Sequence, residues 1–155
     1  MKPNISLILP ASTHEVELHY KRPVFNTMFR ISSADDAYTC VKKFVNPKRI
    51  DLKEFFWILL LTNANHVVAI AEISSGTSKS VLVNIKEIFQ LILKTNAAAL
   101  IVCHNHPSGK LNVSESDKQL TKKISEASLF FDITFLDHII ITSESYISFS
   151  EESLM

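Results

Sequence analysis

The sequence predicts an α/β domain, a mixed sheet covered by at least two helices, and three observations carry that prediction. Apolar, partly β-branched runs of strand length recur at 55–62, 67–74, 97–103 and 134–142. Between the later ones lie stretches with apolar residues at helical spacing, each opening on a residue suited to cap a helix. The resulting order, strand, strand, helix, strand, helix, strand, is that of a mixed sheet with helical crossovers.

Each element has its own justification. Residues 15–20 alternate Glu15, Val16, Glu17, Leu18, His19 and Tyr20, the period of a half-buried or edge strand. Ser33 caps a helix carrying Ala37, Val41, Phe44 and Val45 at helical spacing, and Pro47 opposes its continuation. Phe55–Thr62 and Val67–Ser74, joined by Asn63, Ala64, Asn65 and His66, read as a hairpin of core strands. Asn84 followed by Glu87 forms a capping box, with Ile85, Ile88, Phe89 and Ile92 on one helical face behind it. Ala97–Cys103 is a buried strand. A second helix from about Ser114 carries Leu120, Ile124 and Ala127 on one stripe, Thr134–Thr142 returns to strand, and Tyr146–Phe149 adds a short last one. Of the two glycines, Gly76 and Gly109, each lies within a few residues of a candidate site residue, which points to tight turns there.

Composition bounds the function. At 155 residues and 46% hydrophobic content the chain is the size of one domain over residues 1–155, with 1–50 as an N-terminal strand and helix extension and 51–150 as the core. Sixteen basic and sixteen acidic residues leave no net charge, which disfavours non-specific DNA binding through a global field. Cys40 and Cys103 lack any CxxC spacing and read as free thiols in a reducing compartment. The longest apolar run, Phe55–Leu61, is far short of the roughly 18 residues of a membrane span, and no basic start precedes an apolar leader. The expectation is a soluble, cytoplasmic protein that does not engage a membrane.

The chemistry concentrates between His104 and Asp117. His104 and His106, two apart at the end of a strand, project to one side if the backbone stays extended, while Asn105 points away. Pro107 favours that extension and stops regular pairing beyond it. Two neutral imidazoles and one carboxylate form the ligand set of a catalytic zinc that keeps a fourth position open. Ser114 and Asp117 by themselves spell an ordinary helix capping box. Asp117 nevertheless shares the helical spacing of Leu120, Ile124 and Ala127, which puts its carboxylate at the end of the buried stripe, where it needs a partner such as a metal. Both readings hold together. Glu72 interrupts the apolar strand Val67–Ile73, so it is either an edge residue whose side chain escapes to water or a functional carboxylate, and the second is preferred as general base. His14, His19 and His66 read as solvated, and His138 as a core histidine or one that supports a ligand without being one.

Glu72, then His104-x-His106, seven residues, Ser114, two residues and Asp117 resembles the JAMM metalloprotease signature of JAB/MPN domains. The wording Ala71-Glu72-Ile73-Ser74-Ser75-Gly76-Thr77, His104-Asn105-His106-Pro107-Ser108-Gly109 and Asp137-His138-Ile139-Ile140 is similar to the RadC-like branch of that superfamily. The resemblance implies a cytidine-deaminase-like α/β fold and a zinc ion held by His104, His106 and Asp117. It also implies Glu72 as the base acting on a zinc-bound water and Ser114 as a donor to the developing oxyanion. The chain departs from the family in carrying Val113 where proline usually precedes the serine. It resembles short forms associated with bacterial mobile elements: residues 1–50 contain no glycine, so the helix-hairpin-helix region suited to DNA contact is not expected.

The leading expectation is therefore a zinc-dependent peptidase or isopeptidase acting on a peptide or protein substrate. The alternative is a non-catalytic binding protein in a DNA-repair, recombination or mobile-element complex. A zinc deaminase is excluded by the missing P-C-x-x-C pair. An HNH nuclease is excluded because its His and Asn residues are spread over a ββα unit, whereas here they are contiguous.

Overall fold

Strands β1 (Phe55–Leu61) and β3 (Ala99–Asn105) are buried along their whole length on both faces, which is why their sequences run apolar without alternation. They are the centre of the sheet. The computed structural model describes residues 16–76 and 82–155. Within these, β2 (Val67–Ser75), β4 (Thr134–Ile141) and β5 (Tyr146–Ser148) complete a five-stranded sheet in the order β2-β1-β3-β4-β5. The β3–β4 pair is parallel and the other pairs are antiparallel, so the mixed α/β sheet expected from the sequence is present.

Alternation along the strands sorts the core into two layers. On one face Phe55, Trp57, Leu59 and Leu61 meet Ile101, Cys103, Ile139 and Ile141 under helix α1 (Ala34–Phe44). On the other, Phe56, Ile58, Leu60, Leu100 and Val102 pack against Ile88, Phe89 and Ile92 of α2 (Ile85–Lys94) and Ile124 of α3 (Glu115–Phe130). Helix boundaries follow local chemistry. Ser33 and Asn84 accept the amides of Asp36 and Glu87, and Asp35, Asp36, Lys42 and Lys43 complement the dipole of α1. Past α2 and α3 the chain reverses at Asn96 and Asp132 in the left-handed region, with φ of 50° and 55°, residue types that tolerate it.

One expected element differs. Residues 16–20 form no strand despite their period of two, and Glu15 lies outside the described residues. Val16 and Leu18 are 86% and 96% exposed, so the alternation has no sheet edge or core to bury against among the described residues. No helix among the described residues is long and apolar enough to cross a membrane.

Candidate metal centre

The topology brings three chain ends together. Because β1 runs antiparallel to β3, with Phe56 opposite His104, the residue that enters β1 lies beside the histidines at the end of β3. Helix α3 then starts at the same place. Its N-cap Ser114 and its residue Asp117 form both halves of a capping box. Gly109, at φ 77°, reverses the intervening loop by donating its amide to the His106 carbonyl at 3.1 Å.

The three expected ligands converge. His104 Nε2 lies 3.1 Å from His106 Nε2 and 3.3 Å from Asp117 Oδ1, and one ligand atom from each residue falls within 4.8 Å of the others. The hydrogen bonds behind them fix where the ring protons sit. The Thr121 hydroxyl donates to the Asp117 carbonyl at 2.8 Å, which can only accept, so its oxygen receives the His138 Nδ1–H at 2.7 Å. His138 Nε2 is then bare and accepts the His104 Nδ1–H at 2.8 Å, which leaves His104 Nε2 bare in turn. His106 Nδ1–H donates to the Lys110 carbonyl at 2.8 Å, so its Nε2 also carries a lone pair. Asp117 Oδ2 takes the Ser114 amide at 2.8 Å and the Ser114 hydroxyl at 2.6 Å, and Oδ1 remains free to face His104.

Three lone-pair atoms thus point at one another inside a largely buried pocket. Their mutual repulsion is relieved by a cation between them, or by a proton in its place. Two nitrogens and one oxygen suit zinc. The electrostatics agree. Burial alone would raise the Asp117 carboxyl, but without a cation a proton on His104 Nε2 takes its place, and that N–H and its charge, with the Ser114 hydroxyl and amide, hold the carboxyl well below the usual carboxylate range. Burial first, then the charges of His104 and His106, push His138 well below an ordinary histidine against the opposing pull of Asp117. A neutral His138 is what the relay of protons requires.

Glu54 is the residue that the sequence reading missed. It lines the same cleft of about 490 Å3 as His104, His106, Ser114 and Asp117. Burial raises its carboxyl, His104 and His106 pull it down, and Asp117 pushes it up, for a net rise. One signal was available: a lone carboxylate at the head of an apolar strand, facing the same way as Phe56 and Ile58.

Glu72, expected as the base, is not in this cleft. It sits on the edge strand β2, on the α1 face of the sheet, 3.8 Å from Arg49 and over a third exposed. Its neighbours are Phe44, Val45, Phe55 and Trp57. The register shifts between Phe56 and Trp57, where Phe56 faces Ser74 but Trp57 faces Glu72, and this leaves Ile73 rather than Glu72 turned toward α2. The edge-residue reading describes its place. Ser114, expected as an oxyanion donor, spends its proton on Asp117 Oδ2 and accepts the Asp117 amide at 3.1 Å, so it anchors the ligand carboxylate. Among the other histidines, His19 is exposed beside Glu17, His66 is half-buried against Phe25, and His14 lies outside the described residues.

Most of the chain is similar to known proteins. A family profile described as RadC-like JAB domain matches residues 31–154. A UPF0758 protein of Flavobacterium johnsoniae is 42% identical over 125 residues, covering 81% of this chain and 53% of that protein. UPF0758 proteins of Haemophilus ducreyi and Alkaliphilus metalliredigens are 36% and 38% identical over 132 and 127 residues, covering 85% and 82% of this chain and 59% and 53% of theirs. The chain therefore spans little more than half the length of these curated relatives, whose shared name specifies no reaction.

Proposed function

The chain belongs to the RadC-like JAB domain family, and from that premise we propose that it is a zinc-dependent hydrolase of peptide or isopeptide bonds, with Glu54 as its general base. The observation that carries the reading is the meeting of three bare acceptor atoms with a carboxylate of raised pKa on the wall of the same cleft. His104, His106 and Asp117 would hold the ion. Zinc supplies Lewis acidity there, lowering the pKa of water toward roughly 7 and polarising a carbonyl.

The chain's own residues do the rest. Glu54, a stronger base than a solvated carboxylate, takes the proton of the attacking water and returns it to the departing amine. His138 and Thr121 keep the His104 lone pair aimed at the ion, and the Lys110 carbonyl does the same for His106. Ser114 keeps Asp117 Oδ1 turned inward by occupying Oδ2. Phe56 and Leu120 give the cleft an apolar wall that limits water around the reacting groups.

The test begins with metal analysis of the purified protein, followed by hydrolysis of peptide and isopeptide libraries by wild type, His104→Ala and Glu54→Gln. Near-stoichiometric zinc and activity lost in both variants are expected. Protein without zinc, with His104→Ala as active as wild type, would remove the proposal. Salt-dependent DNA binding that Glu54→Gln leaves untouched, with no hydrolysis of any library, would favour the DNA-associated binding role instead.

A further inference from the structure

Asn105 stands between the two histidine ligands and faces the other side of the sheet, where it is fully buried. Its amide is nearly saturated there. Oδ1 accepts the Phe55 amide at 2.7 Å, while Nδ2 donates to the Lys53 carbonyl at 2.9 Å and to the Ile50 carbonyl. The partners fix the amide's orientation, since an N–H can only donate and a carbonyl can only accept.

The residue between Lys53 and Phe55 is Glu54. Backbone pairing between β1 and β3 ends at Phe56 opposite His104, two residues short of it. Where the ladder stops, the Asn105 side chain takes over and grips the chain on both sides of Glu54. From the β2 side, the Gly76 amide donates to the Glu54 carbonyl at 2.8 Å. The side-chain period of a strand is two, so a slip of one residue here would turn Glu54 out of the cleft altogether.

We propose that Asn105 is the positioning residue for Glu54: it locks the start of β1 so that this carboxylate faces the metal ligands. This rests on the reading of His104, His106 and Asp117 as a metal centre with Glu54 as its base. The three consecutive residues then divide the work, with His104 and His106 binding on one face while Asn105 sets the base from the other. An aspartate would offer no donor to the two carbonyls, and a threonine hydroxyl could donate to only one of them.

The experiment uses cobalt(II) as the probe, on protein labelled with carbon-13 at the glutamate carboxyl carbons. Glu54→Gln identifies the Glu54 signal by its disappearance. In cobalt-loaded wild type that signal should be paramagnetically shifted or broadened. In Asn105→Thr, which introduces a β-branched residue suited to the strand, and in Asn105→Ala, it should move toward its zinc-form position. Zinc affinity should meanwhile stay near wild type, without the 10–100-fold loss that follows removal of a ligand's own support. Exchange of the Phe55 amide should rise roughly tenfold, the weight of one buried hydrogen bond.

A Glu54 signal unchanged in both variants overturns the proposal while leaving the metal centre intact. Failure of wild type to bind cobalt or zinc overturns the metal centre and the proposal with it. If neither variant folds, the wild-type Phe55 amide decides: slow exchange supports the clamp, and exchange as fast as an exposed loop amide refutes it.

Discussion

Removing the His138 side chain should weaken zinc binding although it touches no ligand atom of the ion. His138 is wholly buried, and its Nε2 is the acceptor for the His104 Nδ1–H at 2.8 Å. In His138→Leu that N–H has no partner, a cost of about 1–3 kcal/mol, and His104 is free to move its proton to Nε2, where it blocks the ion. Supporting residues of this kind typically carry 10–100-fold in metal affinity, or about 1.4–2.7 kcal/mol. Gln in place of His138 offers a carbonyl to the same N–H and should recover much of the loss. Thr121→Val acts one step further out. It deprives His138 Nδ1–H of its acceptor, so His138 can turn its proton toward His104 and force the wrong tautomer, for a loss of about tenfold. Competition for zinc against a chelator of known affinity, at one neutral pH and on variants shown to melt cooperatively, measures all three. Wild-type affinity in folded His138→Leu, or His138→Gln as weak as His138→Leu, would refute the assignment of tautomers.

Three further outcomes follow from the geometry. Glu54→Gln should retain zinc and lose about 10^2–10^4-fold in hydrolysis, whereas Glu72→Gln, on the other face beside Arg49, should stay close to wild type in a side-by-side library assay. Ser114→Ala removes the N-cap of α3 and one anchor of Asp117, so it should cost about 1 kcal/mol, a fall of roughly 2–4 °C in melting temperature, and should also lower zinc affinity by competition assay. Metal-free protein should lose stability as the pH falls below about 6.5. The depressed His138 lets the unfolded chain bind a proton that the folded chain refuses, so its contribution is complete above the ordinary value and declines by up to about 1.4 kcal/mol per pH unit below it. Asp117, also depressed, adds a loss of the same sign only near and below pH 3.8, while the raised Glu54 favours the folded state in acid. Urea unfolding from neutral pH down to about 5 should therefore show a shallower slope in His138→Gln; an equal slope would contradict the neutral buried ring.

What could be read from the chain depended on whether the chemistry lay within one element or between elements. The His104 and His106 pair is a matter of alternation along one extended segment, and the Ser114 and Asp117 pair is a matter of one helical turn, so both were visible locally. Their meeting at one point was suggested by the buried stripe of α3, a second local pattern. The base was different, because it depends on which strand lies beside β3 and in what register. Glu72 stood out by breaking an apolar run, yet a strand's own sequence shows that two residues lie on opposite faces without showing which face is which. The irregular register at Ile73 and the edge position of β2 decided that against Glu72. Glu54 stands just ahead of β1, and it acquires a role only through the antiparallel pairing of β1 with β3, a strand distant in sequence. His138 likewise reaches His104 through the parallel β3–β4 register, which sets Val102 opposite His138. The alternating segment at 16–20 shows the reverse case, a correct period with nothing among the described residues to pair with. Asn105 connects the two kinds of information. Its neighbours mark it locally as the residue that points away from the metal, and the β1–β3 register gives that direction a purpose, since the chain it meets there is the segment that carries Glu54.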